Sequence, residues 1–508
     1  LRITEAVTSK PSISARLRPA ALVFAIAAVA PAHTPAQTPA AAPVSPDTRA
    51  AVRQLLGDIL LNGQAYEYDR QLADTIGPRL TGSPNYMRAA AWAQAHFHEL
   101  GLSNVHTEAW TIPATWEPDS ASGRILTPID HPLHLYSYGW SPSTTSAVKA
   151  PVLYIPALTP GVLDGLAGKI HGNIALLDHE TFGEKPSLEL LFSGLDRLRS
   201  LHPAAILTPG GPNGTETLSS FNFSGDLEPL PEAEIGDEDA SLLKRLLDRS
   251  SDASPVTLQF SLTNRIRQNV AVPNVIAEIP GRDLVNEVVL IGAHLDSWNP
   301  GTGAQDNGTG VSTVLEVARA IKALPQPPRR TVRFVLFGGE EQGLLGSTAY
   351  VRAHTADLAH IDAVLISDTG AQPAKGWYLM GREDEKPALK AIAPLLAGLG
   401  ADQTTDDTQY LFETDHAAFD VLGVPTLVLW TDTDLYFKLH HKASDTFDSV
   451  VQKDLNQGAA TTAVTAFAIA DSPQPFAPHL NPTEVQSFLK KSNNLDEYLY
   501  LKKINSLP

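Results

Sequence analysis

VVLIGAHLDSWNPGTGAQDNGTG, residues 288–310, decides the fold. Its first six residues, 288–293, are apolar and rich in β-branched side chains with no polar alternation, the pattern of a strand buried on both faces. The run stops at His294 and Asp296, and a Gly-rich loop carries Asp306 into a helical pattern at 311–324. The same texture recurs outward in TVRFVLF (331–337), IDAVLIS (361–367) and PTLVLW (425–430), with another helical pattern at 386–398. Continuous apolar strands alternating with helices specify an α/β fold with a doubly wound, mostly parallel sheet. Ligands of such sheets bind beyond the carboxyl ends of the strands.

The residues with chemistry lie at those ends. Glu340 and Glu341 follow TVRFVLFGG, Asp368 follows IDAVLIS, and His441 sits in LHHKASDT (439–446). Imidazole and carboxylate suit zinc and its first-row neighbours. His294, Asp306, Glu341, Asp368 and His441 are too many ligands for one tetrahedral zinc with an open position, but they suit two metals sharing a carboxylate. Neighbouring carboxylates on an extended turn cannot both face the metals, which leaves Glu340 as general base. A single Glu-Glu pair after a strand is usually a solvated turn, and a single HxD is as often a satisfied histidine with its carboxylate. Joint placement at successive strand ends is what favours a site. Either His440 or His441 could be the ligand on this reading.

Composition removes several classes. The 508 residues hold no cysteine, so disulfide scaffolds, thiolate zinc sites and cysteine nucleophiles are excluded. Lys and Arg number 38 against 56 Asp and Glu, a formal charge of −18 that repels nucleic acid at long range. Residues 1–30 read as a signal peptide: Arg2, Lys10, Arg16 and Arg18 precede AALVFAIAAVA (20–30), an 11-residue apolar run too short to span a bilayer. Residues 31–48 form a Pro/Ala-rich linker. We expect the sheet domain in 49–114 and 268–471, with the amphipathic helix 89–102 stopping at Gly101, an inserted domain of short strands in 115–267, and a C-terminal tail, 472–508, over the surface.

HLDSWNPGTGAQDNGTG, FGGEEQGLLGS, SDTG, ETDHAAF and LHHKASDT together resemble the co-catalytic zinc metallopeptidases of family twenty-eight. IGPRLTGSPNYMRAAAWAQAHFHELGL (76–102) and DLYFKLHHKASDT (434–446) resemble its plasma glutamate carboxypeptidase branch. The resemblance implies two Zn2+ per chain, with Asp306 bridging, His294 and Asp368 completing one site, and Glu341 and His441 the other. It implies that Glu340 is the general base and that Asp296 orients the ligand beside it. His441 is preferred over His440 because the family pattern H-x-x-x-D-T falls on His441, Asp445 and Thr446. Where some relatives carry an oxyanion-stabilising Tyr, this chain has His440, which either serves that role or packs. Asp415 matches a position on the substrate pocket wall, where it either meets a free ammonium or caps the helix after it. The middle stretch resembles a protease-associated domain.

The implied function is a periplasmic or secreted zinc exopeptidase cutting dipeptides or short peptides through a metal-bridging hydroxide. A peptide substrate is the expected partner, with no nucleic acid, no membrane after signal cleavage, and homodimerisation left open. The alternatives are an aminopeptidase on longer peptides, a glutaminyl cyclase, and a non-catalytic binding protein.

Overall fold

The computed structural model describes residues 44–178, 188–210 and 223–508. The expected signal peptide, and the linker as far as 43, lie outside the described residues. The linker is shorter than its composition suggests. Ser45 Oγ accepts the Thr48 amide at 3.0 Å and Pro46 opens a helix, Pro46–Asn62. A serine cap followed by a proline that needs no donor starts the fold there.

The strands in chain order are β1 (Ser103–Thr127), β2 (His131–Leu133), β3 (Leu135–Ser137), β4 (Val148–Ile155), β5 (Ile174–Leu177), β6 (Ala205–Pro209), β7 (Glu232–Ile235), β8 (Thr257–Ile279), β9 (Leu284–His294), β10 (Arg330–Phe337), β11 (Ile361–Ile366), β12 (Ala374–Tyr378), β13 (Gln403–Thr405) and β14 (Thr426–Thr431). The four apolar runs of the sequence are β9, β10, β11 and β14, parallel and ordered β14-β11-β9-β10. Val289, Ile291 and Ala293 enter one core with Val332, Phe334, Leu336, Ala363 and Leu365. Leu290 enters the opposite core with Val335, Phe337, Val364, Ile366 and Val428. Both faces being covered is why these strands show no polar alternation.

Helices Thr309–Lys322 and Gln452–Ala470 cover the first face. The second of these is buried along most of its length, and its threonines satisfy their hydroxyls on its own backbone: Thr461, Thr462 and Thr465 donate to the carbonyls of Gln457, Gly458 and Thr461 at 2.9, 3.1 and 2.9 Å. The second face is covered by Leu345–Ala353 and, contrary to expectation, by the tail. Val485, Leu489, Tyr498, Leu501 and Leu507 belong to that core rather than to a surface wrap. The tail's mixed pattern hid two short amphipathic helices, Pro482–Lys491 and Leu495–Lys503.

The chain passes from β9 to its neighbour β10, then back across β9 to β11, so the connection reverses beside β9. Such a reversal opens a crevice at the strand ends. A long ribbon extends the sheet the other way. β1 and β8 pair antiparallel from Ser103 opposite Glu278 to Thr127 opposite Thr257. The end of β8 lies on β10 and its beginning on β4, which leads into parallel β5, β6 and β7, with β3 antiparallel beside β7. This part of the 115–267 stretch has its own core, including Ile125, Val152, Leu176, Leu207, Ile235 and Leu258. The helix read at 89–102 is Pro84–Glu99, and Gly101 turns the chain at φ +70°. Among the described residues no helix is long and apolar enough to cross a membrane.

Candidate metal centre

All seven residues expected at the centre converge at the crevice. His294 ends β9, Glu340 and Glu341 follow β10, and Asp368 follows β11. Asp306 stands in the loop before helix Thr309–Lys322. The two oxygens of Asp306 face different partners. Oδ1 lies 3.1 Å from His294 Nε2, which is itself 3.2 Å from Asp368 Oδ1. Oδ2 lies 3.4 Å from His441 Nε2, which is 2.9 Å from Glu341 Oε2. His440 Nε2 is also 3.4 Å from Asp306 Oδ2, its ring stacked on His441 with centroids 3.6 Å apart. Contact with Glu341 distinguishes His441 from His440. Glu340 Oε2 stands 4.0 Å from His294 Nε2, outside the closest contacts.

The electrostatics are those of a cluster with surplus negative charge. Burial raises Glu340 well above the usual carboxylate range, and Asp368, Glu341 and Asp415 add to the effect against His294. Burial and Asp306 push Glu341 up to about 7. Burial alone would lower both ligand histidines, yet Asp368 and Glu340 hold His294 well above its ordinary value, and Glu341 and Asp306 lift His441 to about 10. Asp306, despite its burial, is pulled well below its ordinary value by His294 and His441, whose rings face its two oxygens. Carboxylates thus outnumber the cations that face them. Glu341 Oε1 and Asp306 Oδ2 are buried without a hydrogen bond, a cost that a cation removes. Among the described residues two donor groups share Asp306, one with His294 and Asp368 and one with His440 and His441, with Glu341 against His441, and their imidazoles and carboxylates fit first-row divalent ions.

Residues that hold these side chains were less visible in sequence. Asp445 accepts the Gln305 amide on Oδ1 at 2.7 Å and the Asp306 amide on Oδ2 at 3.1 Å, fixing the loop that presents Asp306. Arg79 is fully buried and donates to three carbonyls of the same loops: Leu295 (2.7 Å), Thr302 (2.8 Å) and Gly303 (2.8 Å). Asn307 donates to the Ser367 carbonyl at 2.9 Å and accepts the Gly310 amide at 2.9 Å, tying the Asp306 loop to the strand end bearing Asp368. The signal for Arg79 was an arginine between Pro78 and Leu80 with no acidic residue next to it.

Asp296 stands beside His294, but the hydrogen bond from His294 Nδ1 goes to its backbone carbonyl (3.1 Å); its carboxylate Oδ1 is 3.7 Å away. Oδ2 instead accepts Thr81 Oγ1 at 2.7 Å and the Glu341 amide at 3.3 Å, so Asp296 steadies ligands from two strands. Asp415 is fully buried close enough to Glu340 to act on it electrostatically, and the helix Ala417–Asp420 that follows has no side-chain cap. Burial first, then Asp296 and Asp368, push Asp415 up to about 7.

A sheet whose strand ends gather two imidazoles and several buried carboxylates around a shared aspartate defines a hydrolase of the metallopeptidase class. The chain carries a peptidase family M28 domain, matched over residues 274–466. It is 28% identical to carboxypeptidase Q of Mus musculus over 419 residues, 80% of this chain and 86% of the relative. A peptidase M28 precursor from Shewanella amazonensis superposes with a TM-score of 0.74 at 28% identity, covering 86% of this chain and 99% of that one. A zinc aminopeptidase from Bacillus subtilis shares the fold with a TM-score of 0.63 at 21% identity, covering 82% and 98%.

Proposed function

We propose that this chain is an exported di-zinc exopeptidase that hydrolyses dipeptides or short peptides. The observation that carries the reading is Asp306, whose oxygens face His294 with Asp368 on one side and His441 with Glu341 on the other. A carboxylate so placed would be shared by the two sets, each of which would hold one zinc. When bound, zinc supplies Lewis acidity for a carbonyl and lowers the pKa of water toward neutrality.

The protein's own groups do the rest. Glu340 takes a proton from the attacking water and returns it to the departing amine, and its raised pKa suits a group that must do both near neutral pH. Asp296 fixes His294 through its carbonyl and Glu341 through its carboxylate. His440 is held neutral by burial and by His441, which push it down to about 3, so it can offer an N–H to the developing oxyanion. Likeness to carboxypeptidase Q on one side and to an aminopeptidase on the other supports a substrate with both free termini within reach. Export to the periplasm or medium rests on the basic, then apolar, opening of the sequence.

The test is a panel of free, N-blocked and C-blocked dipeptides given to the zinc-loaded protein, with zinc counted by elemental analysis. Cleavage of free dipeptides with two zinc per chain is the expected result. Inertness toward the whole panel, or a single zinc, refutes the reading; cleavage of C-blocked peptides alone reassigns it to an aminopeptidase.

A further inference from the structure

We propose that Ser506 is a positioning residue for the Glu340–Glu341 turn, holding the backbone shape that sends two adjacent carboxylates to different tasks. The inference rests on the roles given above to Glu340 and Glu341. The turn is a demanding one: Gly339 (φ +75°), Gly343 (φ +93°) and Leu344 (φ +62°) are all left-handed, and Leu344 has a Cβ that opposes this conformation. Inside it the amides of Gly343 and Leu344 both bond to the Glu340 carbonyl, at 2.8 and 3.0 Å. Such a turn persists when its surroundings over-determine it.

Three side chains from outside pin it. Asn274 of β8 accepts the Gly338 amide at 3.1 Å and donates to the Gly346 carbonyl at 2.9 Å, bracketing its two roots. Asp296 accepts the Glu341 amide at 3.3 Å. The third is Ser506, whose Oγ donates to the Gly343 carbonyl at 2.9 Å. Ser506 is itself fixed: its carbonyl accepts Thr348 Oγ1 at 2.7 Å, its amide bonds to the Leu501 carbonyl at 3.0 Å, and the next residue, Leu507, is buried in the second core. A buried hydroxyl held from both sides and aimed at the crest of the turn transmits the packing of the tail to Glu340 and Glu341. Nothing in the chemistry of peptide cleavage asks for a serine there; the geometry does.

The experiment compares Ser506→Ala, Ser506→Thr and, as a tail control remote from the turn, Ser492→Ala. Readouts are kcat and KM on a cleaved dipeptide, zinc affinity by competition with a fluorescent chelator, and thermal melting. Loss of one hydrogen bond should lower kcat about five- to tenfold in Ser506→Ala with KM little changed, and weaken zinc binding by a similar factor. Ser506→Thr should recover most of both, and Ser492→Ala should match wild type. Wild-type kcat and zinc affinity in Ser506→Ala would overturn the proposal, as would equal loss in Ser506→Ala and Ser506→Thr, or a change in melting alone. If the wild-type protein cleaves nothing, the proposed function falls, while the zinc-affinity arm still decides the role of Ser506.

Discussion

Asp445→Asn is the sharpest probe of how the centre is built, because Asp445 presents the shared ligand without being one. Its carboxylate accepts two backbone amides, Gln305 at 2.7 Å and Asp306 at 3.1 Å. Asparagine keeps one acceptor and turns an N–H toward the other amide, so one charge-assisted hydrogen bond is lost inside a buried site. That costs about 1.5–3 kcal/mol. If the cost falls on the geometry of Asp306, zinc affinity drops about 10- to 100-fold, the range expected for groups that orient metal ligands. Because Asp306 faces both donor sets, both zinc affinities should fall, unlike the effect of replacing Glu341 or Asp368. The measurement is zinc competition against a chelating dye at pH 8. Burial, with Asp306 adding to it, pushes Asp445 up to about 7, so at pH 6 the wild-type group is itself largely protonated and the gap between wild type and variant should narrow. Wild-type affinity for both metals in Asp445→Asn at pH 8 would refute the argument.

Glu340→Gln should keep both zinc ions and lose about 100- to 10,000-fold in kcat, since removal of a general base leaves the ligands in place; an active purified variant, assayed with its metal content, would remove Glu340 from that role. Arg79→Met strips three loop carbonyls of their donor and leaves Asp69 and Asp445 without the cation near them, so urea titration should show a loss of about 3–5 kcal/mol; a loss below 1 kcal/mol contradicts the clamp. The chelated protein should lose stability as pH rises. Glu341 is raised to about 7 from 4.5 and His441 to about 10 from 6.5, so the folded state binds more protons than the unfolded one and stability falls between pH 4.5 and 10. Asp306, shifted the other way, contributes stability that is lost only as pH falls below 3.8. Zinc should flatten the descending limb, because cations take the place of those protons; melting curves with and without EDTA that run parallel across this range would exclude the linkage.

What could be read from sequence followed burial on both faces. β9, β10, β11 and β14 announce themselves as unbroken apolar runs, and a chain that stops such a run on His294, Glu340 or Asp368 places that residue at a strand end. The long ribbon of β1 and β8 was not legible, because residues such as Pro118 and Gly123 interrupt a partly exposed strand whose continuity comes from its partner. The full burial of Asp415 was not legible, because a motif position says nothing of depth. Asp445 and Arg79 act on backbone atoms, and hydrogen bonds to backbone leave no pattern in side-chain spacing. Ser506 lies 163 residues from the carbonyl it binds.

The absence of cysteine gives the metal centre a second consequence. Asp296, Asp306, Glu341, Asp415 and Asp445 are all buried at or beside one crevice, with Glu340 and Asp368 nearly so, and His294, His441 and Arg79 supply the nearby positive charge. Burying that many carboxylates opposes folding unless protons or cations accompany them. No disulfide restrains the unfolded chain in compensation. Ions that bind the folded chain and not the unfolded one therefore stabilise it by mass action, and the ligands that would serve catalysis also serve the fold. Asp306 is where the two demands meet: its two oxygens can be satisfied together only when both donor sets are assembled, so loop, strand ends and metals are expected to order as one unit.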